Sequence, residues 1–168
     1  AEQKWTDWNG QEISTAYYQG MKMALFDVTD VTHPVEKFKT VIGDRGTESP
    51  LLYDHKALLF DKNKGLLAFP VTVAEVKGDK ASAAEYGEFV FQGAYVYSFS
   101  VDKGFTLTGK ITHLSQEDLL KSGYGWYGSD KNIERVLYID DTLYTVSKSM
   151  IKANNLGTLT ETGKLTVK

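Results

Sequence analysis

Pairs of short alternating segments joined by turn formers recur along this chain, and that recurrence constrains the fold more than any other feature. His55-Lys56-Ala57-Leu58-Leu59-Phe60 runs into Asp61-Lys62-Asn63-Lys64-Gly65, and Leu66 to Val73 returns. Ala94 to Val101 reaches Asp102-Lys103-Gly104, and Phe105 to Ile111 alternates again. Arg135 to Ile139, Asp140-Asp141 and Thr142 to Ser147 repeat the plan, and Gly163 to Val167 reads as a final strand. Apolar–polar alternation broken by Gly, Asn and Asp is the signature of antiparallel hairpins. One short helix is predicted at Ser115 to Lys121, where a capping serine and first-turn acids precede a lysine and Gly123. The stretch Val76 to Tyr86 reads as an insertion with room for a helical turn, and Leu119 to Lys131 as a second long loop.

The hairpins are also similar to one another. Gln19-Gly20 to Val28 resembles Gln92-Gly93 to Val101. His55 to Asp61 resembles Glu134 to Asp140. Thr108-Gly109-Lys110-Ile111-Thr112 resembles Thr162-Gly163-Lys164-Leu165-Thr166. Ordered along the chain, these segments define a four-stranded antiparallel unit, present about two and a half times. Such units recurring every ~40–50 residues are the blades of a β-propeller, and an ordinary antiparallel sandwich is the other architecture the strands allow. The units divide the chain as 1–48 (a partial blade), 49–113 (a blade) and 114–168 (a blade with its preceding loop). The expected fold is all-β, a partial or open propeller. Its core is expected at Leu25, Val28, Leu58, Phe60, Leu67, Phe69, Tyr95, Tyr97, Phe99, Leu137, Ile139, Leu143 and Val146.

One resemblance covers the chain from about Gln19 to its end. Its residues are Phe26-Asp27-Val28-Thr29-Asp30 with Pro34, Val41 to Gly46, Tyr53 to Ala57, Gln92 to Val96, Leu137-Tyr138-Ile139 and Leu143 to Ser147. Together they resemble the C-terminal part of the secreted β-propeller-domain proteins of bacteria and archaea, which are distantly similar to WD-repeat propellers. The resemblance implies a propeller fold and a secreted or cell-surface location, and it carries over no catalytic residue. The first eighteen residues match it poorly and suggest a remnant of inner strands.

Composition narrows the function. A chain of 168 residues is long enough for one well-filled core, and 42% hydrophobic with 24% charged residues excludes a disordered chain. A net charge of −3 removes the electrostatic footprint of a nucleic-acid binder. No apolar run approaches the ~20 residues of a membrane helix. With no cysteine there is no disulfide framework, thiol nucleophile or cysteine-bound zinc. The chain opens Ala1-Glu2-Gln3, as expected of a chain whose signal was removed or of a piece of something longer.

The candidate binding residues are few. Asp54 and His55 pair a carboxylate with an imidazole at the entry to a strand. Asp44 and Arg45 lie in the polar loop Gly43 to Ser49 between two units. Tyr124, Trp126 and Tyr127 are rings among glycines, suited to stacking on a sugar or gripping a protein; Trp5 and Trp8 raise the same possibility. His33 and His113 read as surface residues. Asp27, Asp30, Asp140 and Asp141 read as turn aspartates, with calcium the weaker alternative because these pairs supply too few oxygens. No cofactor is expected. The leading expectation is a non-enzymatic extracellular scaffold or binding module for a protein or carbohydrate ligand. Its rival is a hydrolase or lyase that uses Asp54 and Glu88 on an extracellular polymer. So few blades cannot close a ring, so one apolar sheet face is expected to be uncovered. The partners expected there are the remaining blades of a longer chain or another copy of this one, gripped through Trp5, Trp8, Trp126 and Tyr127.

Overall fold

The computed structural model describes residues 1–122 and 128–167. Its strands form four antiparallel sheets. β1 (Glu2–Thr6) and β2 (Glu12–Ala16) make an N-terminal hairpin. β3 (Met21–Asp27) and β4 (Val35–Ile42) make the first sheet. The middle sheet runs β5 (Leu59–Asp61), β6 (Leu66–Glu75), β7 (Glu88–Ser100) and β8 (Gly104–Ile111) in that order. The last sheet runs β9 (Arg135–Ile139), β10 (Thr142–Val146), β11 (Met150–Asn155) and β12 (Glu161–Thr166), again as a meander. This is the all-β, blade-type architecture read from the repeats.

The meander of the middle sheet follows from its sequence, with one local departure. Asp54 accepts the Lys56 N–H and caps a 3₁₀ turn at His55–Ala57, so β5 starts only at Leu59. Pro70 sits inside β6 without breaking it, because the short β5 has ended by then. The Pro70 carbonyl points to that vacated side and accepts the buried Ser49 hydroxyl at 2.5 Å, so the missing N–H falls where no strand needs it. The expected helix is α1 (Gln116–Lys121), closed by a reciprocal Ser115–Asp118 capping box. The 76–87 connection holds turns and bends but no helix.

Both faces of the middle sheet are buried. Phe69, Val71, Val73, Tyr95 and Tyr97 face the first sheet and pack on Met21 and Ile42. Leu66, Ala68, Ala94, Val96 and Ile111 face the last sheet and pack on Ile133, Val136 and Leu143. One side is aromatic and the other small, so the two seams are filled by different means. At the first seam Gly104 holds φ 69°, and an added Cβ there would lie 2.6 Å from the Phe38 ring. Any larger residue would be strained by its backbone and would also push the two sheets apart.

The expected core is corrected at five positions. Phe69, Tyr95, Tyr97 and Leu143 are buried, and Leu25, Leu67, Phe99 and Val146 are half-buried. Val28, Leu58, Phe60, Leu137 and Ile139 are exposed. Val28 lies beyond the end of β3, and Leu58 belongs to the end of the 3₁₀ turn. Phe60 is 52% exposed although its ring stacks on Phe99 at 4.9 Å. In β9 the two-residue turn pairs Ile139 with Thr142, which sends Val136 and Tyr138 inward and Leu137 and Ile139 outward. A one-residue difference in register exchanges the two faces of a strand.

Phe69→Ala should lower the unfolding free energy by about 3–5 kcal/mol, the cost of a cavity at a fully buried ring, whereas Phe60→Ala should cost less than about half of that. Urea denaturation of the two variants checks the assignment of faces.

Candidate functional site

The turn that leaves the first sheet carries two of the sequence-predicted site residues. Asp44 accepts the Val76 N–H at 2.8 Å and the Lys80 ammonium at 2.5 Å. The Lys80 contact, with the Val76 N–H second, holds its carboxyl below the usual range. Arg45 donates to the Ala84 carbonyl at 2.6 Å, and its guanidinium lies between the Tyr17 and Tyr86 rings at 4.5 and 4.1 Å. Behind them the buried Thr47 hydroxyl bonds both the N–H and the carbonyl of Ala74. Asp44 and Arg45 therefore do not pair with each other. They fasten the loop to the 76–87 connection, and through Tyr17 to the segment between β2 and β3.

Beside this knot lies a cleft of about 730 Å³, lined by Glu48, Ser49, Pro50, Tyr53, Thr72, Tyr86 and Phe89. Its walls are mostly apolar. Tyr53 and Tyr86 are exposed, and among the described residues of the lining Glu48 contributes the one carboxylate. Rings beside a single anionic acceptor suit the stacking face and hydroxyl groups of a sugar, or a peptide side chain with a donor at its tip. Sequence reasoning found Asp44 and Arg45 but missed Tyr17, Glu48, Tyr53, Tyr86 and Phe89, which come from separate segments.

The second predicted pair is also divided. Asp54 takes Arg135 of the last sheet at 2.5 Å, while His55 is exposed. The Lys56 N–H first, and Arg135 with it, keep the Asp54 carboxyl below its ordinary range. Nearby the Tyr138 hydroxyl donates to Asp61 at 2.5 Å, which lowers the carboxyl and raises the phenol. Glu88, the other acid of the hydrolase reading, is ion-paired with Lys77. Asp27 and Asp30 accept from Thr29 and Thr32 as turn aspartates do, and His33 is exposed beside Asp30. Among the described residues, no three His, Asp or Glu side chains gather as a metal would need. Trp5 and Trp8 are exposed, Trp8 at 92%, and the Trp5 indole donates to Thr15 within its own hairpin. Tyr124, Trp126 and Tyr127 lie outside the described residues.

His113 overturns its surface reading. It is 4% exposed, with Nδ1 3.0 Å from the Ser147 hydroxyl and Nε2 2.9 Å from the Thr145 hydroxyl. Burial pulls its pKa down to about 4; Lys152 adds to the effect and Glu161 opposes it. A neutral ring with one donor and one acceptor nitrogen suits two hydroxyls that can each rotate to either role. Ser147 and Thr145 are buried too, so this trio joins two sheets in a place closed off from solvent. Gln92 does the same work: its buried amide donates to the Ile133 carbonyl and accepts the Ile133 N–H, both at 3.2 Å. No signal in the sequence marks either clip, because the partners lie in a different repeat.

Among comparisons with known proteins, the family model described as the beta propeller domain matches residues 2–159. No curated protein and no solved structure gives a match.

His113 sets a pH dependence. Its folded pKa lies below the unfolded value near 6.5, so its contribution is complete above that value and is lost as pH falls through 6.5 towards 4. Denaturant titrations across this range should show a loss on the order of 2–3 kcal/mol from this group. His113→Gln should flatten that part of the profile, and an unchanged slope would exclude His113 as the source.

Proposed function

This chain belongs to the β-propeller domain family, and from that premise we propose that it is a non-enzymatic binding or scaffold module of propeller type, acting outside the cell. The observation that carries the reading is the cleft beside Arg45, where exposed rings and one carboxylate face solvent. The acids that hydrolysis would require are engaged elsewhere, Asp54 with Arg135 and Glu88 with Lys77. A general acid–base pair needs two such groups converging on one reacting bond with matched pKa values. The ligand class proposed is a carbohydrate or a protein surface, held by stacking and hydrogen bonds without a metal or cofactor. The exterior location rests on the resemblance to secreted propeller proteins.

The test is a chemical-shift titration of the labelled chain with neutral oligosaccharides and with short peptides. Shifts should concentrate at Tyr53, Tyr86 and Phe89, and Tyr53→Ala should weaken binding by about 5- to 30-fold, the usual cost of removing a stacked ring. Turnover of a polysaccharide that Asp54→Asn or Glu88→Gln abolishes would replace this reading with the hydrolytic one.

A further inference from the structure

Two buried phenols and two opposite charges line one hollow, and the chain itself answers none of them. The hollow holds about 290 Å³ at the seam of the first and middle sheets, where β4 passes β8. Tyr95, Tyr97, Lys110 and Glu75 line it, and Phe105 and Leu107 add apolar wall.

The tyrosines belong to the core. Each is 5% exposed, and they cluster with Met21, Ile42 and Phe69. Tyr97 stacks on Phe69 at 6.1 Å, and Tyr95 meets the Phe91 ring at 5.3 Å. The neighbours that fix these rings are phenylalanines, so packing alone calls for a ring and not for a phenol. Neither hydroxyl has a hydrogen-bond partner within the described residues, yet neither is sealed from solvent. A hydroxyl left unpaired at such a depth is costly, and two that open into one hollow mark a place where the partner comes from outside. Burial, with Tyr95 second, pushes the Tyr97 phenol up to about 12, so it stays protonated and able to donate.

The charges flank these donors. Lys110 stands opposite Tyr95 in the β7–β8 register, on the same face of the sheet. Its ammonium lies 4.6 Å from the centre of the Tyr95 ring and 5.6 Å from that of Phe91. Within the described residues it makes no hydrogen bond and no ion pair. Glu75, at the end of β6, brings a carboxylate that is equally unpaired there, and the two do not pair with each other. A ligand with a single charge would meet one of these groups well and the other badly. A zwitterion satisfies both, and its ammonium is also favoured by the faces of aromatic rings. The volume lies at the low end of small-ligand sites, which suits a molecule the size of a free amino acid with its side chain against Phe105 and Leu107.

We propose that this hollow binds a free α-amino acid, its carboxylate held by Lys110 and the hydroxyls of Tyr95 and Tyr97, its ammonium by Glu75. The site goes beyond the aromatic cleft, with which it shares no lining residue, and does not rest on the reading given to that cleft.

The test is a chemical-shift titration of the labelled full chain with glycine, L-alanine, L-leucine, L-methionine and L-glutamine at millimolar concentration. At least one of them should shift the signals of Thr40, Tyr95, Tyr97 and Lys110 and leave those of Tyr53 and Tyr86 in place. Deleting either charge of the amino acid that binds, as isocaproate and isoamylamine do for leucine, should weaken binding about 10-fold or more. Tyr97→Phe and Lys110→Gln should each weaken it by about 10- to 100-fold, the range for a hydrogen bond to a charged group. Tyr97→Phe should keep or raise the urea midpoint of the free chain, because it removes an unpaired hydroxyl. Lys110 is exposed, so Lys110→Gln should leave the midpoint unchanged. Silence of the whole panel at these residues would overturn the proposal. So would a carboxylate or amine analogue that binds as tightly as its amino acid, or binding that neither substitution weakens.

Discussion

Strand β6 is apolar on both faces, and the rest of the structure depends on how that is satisfied. Leu66 and Ala68 point to one side, and Phe69, Val71 and Val73 point through the alternation to the other. A strand of this kind is stable only with a layer on each side. The first and last sheets are those layers. Aromatic rings fill one seam, and small residues with inserted aliphatic chains fill the other, so the sheets stack in one order with distinct interfaces. Pro70 is tolerated at the centre because β5 is short and Ser49 meets the carbonyl on the vacated side.

Apolar packing is not directional and cannot alone fix how one sheet sits on the next. That task falls to polar clips at the second seam. Gln92 grips both backbone groups of Ile133, His113 bridges Ser147 and Thr145, and Asp54 and Asp61 reach Arg135 and Tyr138. Each clip joins groups far apart in sequence, and the buried ones would be costly if left unpaired. The side chains that most resemble catalytic groups are thus joints between sheets. On the binding reading proposed above, recognition falls to the surface, where a knot of Arg45 between two tyrosines holds the rim of an aromatic cleft.

Local pattern was enough to reveal most of the strands, though not β11 or the pairing of the N-terminal hairpin, together with the order of the middle sheet, the α1 capping box and the repeat that announces a propeller. These depend on turn chemistry and alternation between near neighbours, which are written into adjacent residues. The site was legible only in part. Asp44 and Arg45 stood out as a polar loop, but their partners Lys80, Tyr17 and Tyr86 are set by how the 76–87 connection folds back. Asp54 stood out beside His55, yet its charge is answered by Arg135 from another sheet.

The sequence by itself determined that this chain forms antiparallel four-stranded units that recur along it. Only the tertiary structure decided which face of each strand points inward. The alternation of β9 is equally consistent with Val136 and Tyr138 or Leu137 and Ile139 inside, and the two-residue turn at Asp140–Asp141 settles it through pairing with β10. The tertiary structure also decided that His113 is buried and neutral, because its environment is made by Thr145 and Ser147 from the next sheet. Periodicity is a property of neighbours along the chain, whereas burial and charge compensation belong to neighbours in space.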